Sequence, residues 1–362
     1  MDIKKQAIYY FFGFEIEFNQ LDSLRILILY FFSVTLIRAI SYDADLPEFA
    51  SSSFSQYISL RLLKLLGFLA VIWFIYTVSD YIEYDKIIKA KSGYLEPYFF
   101  LIRGFIYLGG WSLYRYFSRK FSIAQDNSND NKNHIKNFKL SAGFLVFFLI
   151  TESMMSWDWI MSIDPHWFST LFGWYVFASM MVSGVTTIAL ISIYLKSKGY
   201  LPNVNDNHIH DLGKFMFGFS VFWTYLWFSQ FMLIWYSNIP EEVVYFISRI
   251  EDYTIPFWGM VVINFILPFL ILVSSNFKRV NSIIVTAGII ILTGHYIDVY
   301  NMIMPSAVGD MWSFGAAEVG GFLFFLGIFI YVVFKEISKA PILVKGDPFI
   351  EESKTFQYYN LD

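Results

Sequence analysis

A histidine and an aspartate stand close together inside one of the long apolar runs of this chain. The segment GHYIDVYNMIMP begins at Gly294 and places His295 three residues before Asp298. On a helix this spacing brings both side chains to one surface. A histidine that changes charge near neutral pH, next to a carboxylate, makes a chemically sensible proton donor and acceptor pair. The same spacing is equally typical of a polar pair that only fixes helix packing, and the sequence leaves both interpretations open.

Further acids lie in a second apolar region. Glu152 and Asp158 fall within the first of two apolar runs that are joined at Asp164 and His166. On a helix Asp158 shares a face with Thr151 and Glu152 points about 120° away from it, so the two acids do not form a same-face catalytic pair. A carboxylate in hydrocarbon costs at least roughly 2.5 kcal/mol, so each acid is expected to face other helices, a water-filled cavity or a polar partner. We predict that these four residues are successive stations of a proton pathway.

A polar stripe is predicted on the helix that begins near residue 211. At about 100° per residue, five polar side chains share a sector of about 60°. They are Asp211, Lys214, Tyr225, Ser229 and Tyr236. The stripe suits a helix interface joined by hydroxyl groups, with Lys214 reaching the membrane surface. It also suits one wall of a proton conduit that protons enter at Asp211 and Lys214.

The composition is that of a membrane protein. Of the 362 residues, 56% are hydrophobic and 15% are charged, and the mean hydropathy is +0.50, values outside the usual range of soluble domains. Because there is no cysteine, the chain holds no disulfide, cysteine-ligated iron–sulfur cluster or thiolate metal site. Only His295 of the five histidines lies well inside an apolar run. A b-type haem needs two facing histidines, so neither a haem nor a metal site is expected.

Nine apolar stretches are long enough to cross a bilayer. They are residues 24–40, 58–82, 98–117, 140–162, 168–195, 211–237, 255–274, 283–304 and 314–334. We predict an interfacial or atypical segment at 1–20, a transmembrane helical domain at 21–337 and a cytoplasmic tail at 338–362.

Four further expectations concern the connections and the ends of the helices. Residues 118–139 are predicted to form an extramembrane loop. Glu241 and Glu242 either cap an exit mouth or lie in another loop, and we favour the loop. Arg103 is expected to snorkel to the membrane interface. Lysines such as Lys196 predict that their end of the helices is cytoplasmic.

Four segments carry a resemblance to a known family. They are ESMMSWDWIMSIDPHWFSTLFGWYVFASM from Glu152, HDLGKFMFGFSVFW from His210, FSQFMLIWYSNIPEE from Phe228 and GHYIDVYNMIMP from Gly294. Together they resemble the F subunit of alternative complex III, a bacterial quinol:electron-acceptor oxidoreductase common in the Bacteroidetes. The likeness runs from about Asp85 to the C-terminus and is weak before it.

The resemblance implies an all-α polytopic membrane protein of nine to ten transmembrane helices. These would form two four-helix bundles, as in polysulfide-reductase (NrfD-like) membrane subunits. It implies no redox centre in this chain, with haem and iron–sulfur clusters on partner subunits and menaquinone as a candidate ligand. The implied partners are an NrfD-like C subunit, an iron–sulfur subunit, multi-haem cytochromes, membrane lipids and a terminal cytochrome oxidase, in the bacterial inner membrane.

Two roles follow for such a subunit. The first is a proton pathway coupled to menaquinol oxidation in the sibling C subunit, and the buried acids, histidine and hydroxyls favour it. The second is an additional quinone-binding subunit. A scaffold for lipids and other subunits is also compatible with the aromatic richness of the chain, whereas a secondary transporter would need matching broken helices that the sequence does not show.

Overall fold

The computed structural model describes residues 9–11, 14–16, 86–310, 312, 314–339 and 341–357. The predicted spans 24–40 and 58–82, and most of the predicted segment 1–20, lie outside these residues. Two compact units are distinguished: residues 1–78 with 313–340 form one, and residues 79–312 with 341–362 form the other.

The described elements are almost all helices. In chain order they are β1 Tyr9–Phe11, β2 Phe14–Ile16, α1 Lys86–Leu95, α2 Pro97–Asp126, α3 Lys132–Trp159, α4 Phe172–Ser197, α5 Asp206–Ser237, α6 Pro240–Glu251, α7 Thr254–Val261, α8 Leu267–Leu272, α9 Asn281–Val308, α10 Ala316–Ile337 and α11 Ile350–Lys354. The two strands pair antiparallel. A π-helical turn, Val262–Ile266, joins α7 to α8, and short 3₁₀ turns lie at Met161–Ile163 and Phe277–Arg279.

Six helices within the described ranges are long and apolar enough to cross a membrane. They are Lys132–Ile163, Phe172–Ser197, Asp206–Ser237, Thr254–Leu272, Asn281–Val308 and Ala316–Ile337. These helices correspond to the last six predicted spans, which confirms the prediction of a multi-pass helical membrane protein. Helix α2 covers the third predicted span, but aromatic and charged residues interrupt its apolar run and it is not among the six.

The predicted loop at residues 118–139 is wrong. Helix α2 continues to Asp126 and α3 begins at Lys132, so only five residues connect them. The side chain of Gln125 closes this short turn, because its amide donates to the carbonyl of Asp130 at 2.7 Å and accepts from the N–H of His134 at 2.9 Å. The polar composition of this segment therefore marked water-exposed helix ends rather than a long loop.

The two glutamates that the sequence placed in a loop belong to helix α6. Pro240 lies in the first turn of α6, where its missing N–H removes no hydrogen bond. Glu241 and Glu242 follow in that turn, and negative charge is favourable there because the helix dipole is positive at its N-terminus. One face of α6 is buried and brings Arg249 into the interior.

Helices α4, α5, α7–α8 and α9 form one four-helix bundle, because each packs against two of the others in a closed ring. Two apolar layers fill it. Trp223 and Phe257 belong to the layer at the end that carries Asp164, here called the aspartate end. Val182 and Ile284 belong to the other layer, at the end that carries Lys196 and Lys278, here called the lysine end. The arrangement in two such bundles stays a prediction.

Helix α9 approaches the π turn very closely at Gly294. A Cβ at this position would overlap the Oδ1 atom of Asn264 and lie 2.7 Å from Ile263 Cγ2. We expect Gly294→Ala to lower the stability of the folded protein by about 1–3 kcal/mol, since the helices must move apart. Thermal unfolding in detergent micelles measures the effect. Gly259→Ala is the matched control, because a Cβ there meets nothing within 4 Å; equal destabilisation by both substitutions would contradict the prediction.

The C-terminal segment returns to the lysine end of the bundle. The carboxylate of Asp126 accepts the backbone N–H groups of Lys345 and Gly346, each at 2.9 Å. Further along, the carbonyl of Phe356 accepts from the side chain of Asn205 at 2.9 Å. The tail therefore connects the α2–α3 turn with the start of α5.

Candidate functional site

Asp298 is a fully buried carboxylate that accepts hydrogen bonds from three side chains. The hydroxyl of Tyr175 donates to Oδ1. The indole N–H of Trp223 donates to Oδ2 at 2.9 Å, and the hydroxyl of Ser179 donates to the same oxygen at 3.2 Å. Helices α4 and α5 thus supply the donors, and α9 supplies the acceptor. This donor set is suited to an ionised carboxylate, which only accepts.

Ser179 connects Asp298 to His295. The Nδ1 atom of His295 lies 2.9 Å from Ser179 Oγ and 3.5 Å from Asp298 Oδ2. A serine hydroxyl has one hydrogen, and an ionised Asp298 can only accept, so we assign that hydrogen to the bond with Asp298 and the hydrogen between Ser179 and His295 to the imidazole. The order is imidazole N–H to hydroxyl to carboxylate. The prediction that His295 and Asp298 are neighbours on one surface is confirmed, and the structure adds Ser179 between them.

These three residue types are also those of a hydrolytic triad, but their order differs. In a nucleophilic triad the two ring nitrogens of histidine face the serine and the acid separately. Here a single nitrogen, Nδ1 of His295, faces both Ser179 and Asp298. The histidine therefore cannot withdraw the serine proton while the acid holds its other side. The arrangement fits proton transfer along the chain and does not fit activation of a nucleophile.

Unpaired polar atoms surround the histidine. The Nε2 atom of His295 is buried and has no hydrogen-bond partner among residues 86–357 that the structure describes, and the same is true of both amide atoms of Asn264. Asn264 lies on the π turn and touches Gly294, the residue before His295. Buried polar atoms without a protein partner are ordinarily satisfied by water or a ligand, and π turns occur frequently at functional sites. Nε2 of His295 is therefore the ring atom that is open to a water molecule or a ligand.

Asp158 lies in a different buried cluster, as one half of an ion pair with Arg103. The guanidinium donates from Nε and Nη2 to the two carboxylate oxygens, at 2.8 Å each. The hydroxyl of Tyr107 donates to the same carboxylate at 2.8 Å. Only 3% of Arg103 is exposed, so the expectation that this residue snorkels to the interface is wrong. A short α1–α2 connection lets the aromatic rings of Tyr94 and Phe99 cover the guanidinium instead, at 4.0 and 4.3 Å.

Glu152 is fully buried on α3, six residues before Asp158. Neither of its carboxylate oxygens has a hydrogen-bond partner in the described part of the chain. A buried carboxyl without a partner is costly, so such a group is ordinarily satisfied by water or by a neighbouring subunit. Of the two predicted acids on α3, Glu152 thus lacks a protein partner among the described residues, whereas Asp158 is paired with Arg103.

The remaining predicted residues lie near the two ends of the bundle. Asp164 and His166 occupy the connection before α4, where the ammonium group of Lys91 donates to the carbonyl of Pro165 at 2.8 Å. Burial lowers the pKa of Lys91, and the nearby carboxylate of Asp164 opposes that shift. At the lysine end, Asp211 and Lys214 form a partly exposed ion pair of 2.6 Å.

Two members of the predicted polar stripe face outward. Tyr225 is 65% exposed and Tyr236 is 88% exposed, so this part of the stripe lies on the outer surface of the bundle. The buried face of α5 carries Ser220, Trp223 and Gln230 instead. The structure therefore does not bring Tyr225 and Tyr236 to His295 and Asp298.

Sequence reasoning missed the three donors to Asp298. Tyr175 and Ser179 are four residues apart and share a helix face, which was a usable signal. The role of Trp223 could not be predicted, because a tryptophan in an apolar run is ordinarily a packing residue.

An apolar groove of about 570 Å³ lies on the outer side of α5, the π turn and α7. Aromatic rings form much of its wall: Trp227, Phe228, Phe231, Trp258 and Phe265. Hydroxyl groups are contributed only by Thr224 and Tyr225 among its lining residues. An acyl or isoprenoid chain suits this lining better than a quinone head group, whose carbonyls need hydrogen-bond donors.

No protein-family model matches this chain, and no curated protein is significantly similar to it. Within the described residues, no three histidine or acidic side chains lie close enough together to hold a metal ion. The functional argument therefore depends on the geometry of the chain itself.

Proposed function

We propose that this chain is a membrane subunit of a quinol:electron-acceptor oxidoreductase of the alternative complex III type, in the bacterial inner membrane. The chain provides a proton pathway that is coupled to menaquinol oxidation in the NrfD-like C subunit. Haem and iron–sulfur clusters of partner subunits carry the electrons. The sequence resemblance supports the complex. The His295–Ser179–Asp298 chain, here called the relay, is the observation that supports the pathway.

The relay can move a proton without any large displacement of its side chains. When a proton binds Nε2 of His295, Nδ1 releases its own proton to Ser179 Oγ. Ser179 passes its hydroxyl proton to Asp298 Oδ2 in the same step, which leaves a neutral histidine, an intact serine and a protonated aspartate. Asp298 then releases its proton, and the imidazole, which now carries its hydrogen on Nε2, returns to the Nδ1–H form by exchanging protons with water, which restores the starting state. Each distance involved, 2.9 and 3.2 Å, is within hydrogen-bond range.

Ser179→Ala tests the relay, because it removes the bridging hydroxyl and leaves both titratable residues in place. We expect proton transfer to slow by at least about tenfold. Protons released per quinol oxidised are measured on the parent complex in proteoliposomes, at matched subunit content. Ser183→Ala, one turn further along α4, is the control. An unchanged proton yield in Ser179→Ala would contradict the proposal, and the scaffold function would then explain the chain better.

The apolar groove supports a second candidate function, the binding of a quinone. If a quinone binds there, Val221→Trp, which fills the groove with an indole ring, lowers quinol oxidation itself. If the groove holds only lipid, electron transfer is unchanged and the proton pathway remains the better explanation. The scarcity of donors in the groove favours lipid.

A further inference from the structure

A second polar cluster adjoins the relay on the side of the aspartate end. Tyr175, whose hydroxyl binds Asp298, also lines a cavity of about 10 Å³. This volume corresponds to about one water molecule. Gln230, Arg249 and Asn301 supply the other strongly polar side chains of its wall. The Oδ1 atom of Asn301 is buried without a partner among the described residues.

Arg249 is held rigidly in the wall of this cavity. Only 2% of it is exposed, and its guanidinium donates to the backbone carbonyls of Tyr245, Asn301 and Met302 at 2.8, 3.0 and 3.2 Å. It also stacks on the ring of Tyr245, with its central carbon 3.3 Å from the ring centroid. None of these three acceptors is a carboxylate, so the positive charge is solvated by dipoles and is not neutralised by contact.

Gln230 connects the wall of the cavity with the aspartate end. The Oε1 atom of Gln230 lies 3.5 Å from the hydroxyl of Ser169. Ser169 belongs to the connection before α4, which also contains Asp164 and His166. Polar groups therefore follow one another from Asp298 to Tyr175, across the cavity to Gln230, and on to Ser169.

We propose that protons leave Asp298 through Tyr175 and this cavity, and that Arg249 is the positioning residue of this outward route. The inference depends on the proposed proton pathway and adds its exit. A fixed cation turns the oxygen of a water molecule toward itself and the hydrogens away from it. It also raises the energy of an excess proton in the cavity, so no proton rests there, and passive proton movement in either direction meets an electrostatic barrier. Arg249 thereby limits passive leak through the outward route.

Gln230→Leu tests the route. Leucine is similar in size, so the packing is kept and the polar continuity is lost. We expect proton transfer to slow by at least about tenfold, as for Ser179→Ala, so that fewer protons are released per quinol oxidised. Met232→Leu, on the exposed face of the same helix, is the control. If Ser179→Ala lowers the yield and Gln230→Leu does not, the relay stands and the exit is elsewhere; if neither lowers it, the proton pathway itself fails.

The role of Arg249 is tested by a measurement that separates loss of its charge from general loss of structure. Passive proton leak is measured in proteoliposomes that contain the full chain at matched folded content. We expect Arg249→Met to increase the leak severalfold and Arg249→Lys, which keeps the charge, to restore low leak. If Arg249→Met folds with the leak of the wild type, or if the lysine variant leaks as much as the methionine variant, the assignment of Arg249 is overturned. Where Arg249→Met does not fold, Gln230→Leu alone decides the route.

Discussion

Asp298→Asn is expected to stop proton release while quinol oxidation by the parent complex continues. Asparagine has the shape of aspartate but carries no titratable proton, so the relay ends at Ser179. Its amide also places N–H donors against the donors of Ser179 and Trp223, at an expected cost of about 1–3 kcal/mol. Proton transfer through the chain should fall by at least about a hundredfold, since general acid–base groups contribute roughly 10²–10⁴-fold.

The measurement is protons released per quinol oxidised in proteoliposomes. Asp206→Asn is the matched control, because Asp206 is 68% exposed at its side chain and forms its ion pair with Lys196 at the surface. Simultaneous loss of proton release and quinol oxidation in Asp298→Asn, at matched assembly, would point to a quinone site instead of a proton pathway.

Asp158→Asn is expected to have the largest effect on stability. The substitution leaves Arg103 buried with an uncompensated charge, and breaking one half of a buried ion pair costs about 3–5 kcal/mol. The hydroxyl of Tyr107 also loses its charged acceptor. We expect little folded protein to survive detergent extraction, and a large drop in the thermal midpoint of the protein that does.

A double substitution separates the ion pair from any proton-carrying function. Arg103→Met combined with Asp158→Leu removes both charges together and is expected to recover most of the stability, because apolar side chains can replace a buried pair. Wild-type stability of the single Asp158→Asn variant together with a lowered proton yield would return Asp158 to the pathway.

The sequence predicted the features that depend on neighbouring residues along the chain. Six of the predicted apolar runs form helices that are long and apolar enough to cross a membrane, because the length of a span and the internal pairing of its backbone are both local requirements. The contact of His295 with Asp298 was predictable for the same reason, since residues three apart on a helix are always neighbours.

Only the tertiary structure decided which helix faces meet. The helical period groups Tyr225 with Tyr236 on one face, but the period does not tell whether that face points into the bundle or away from it. In the structure the face points outward. Arg103 and Asp158 are 55 residues apart, so no local pattern could pair them. The hydrogen bonds to Asp298 needed Tyr175 and Ser179 from α4 and Trp223 from α5 to converge on α9. Such convergence is set by which helices are neighbours in the bundle, and chain order does not fix that choice.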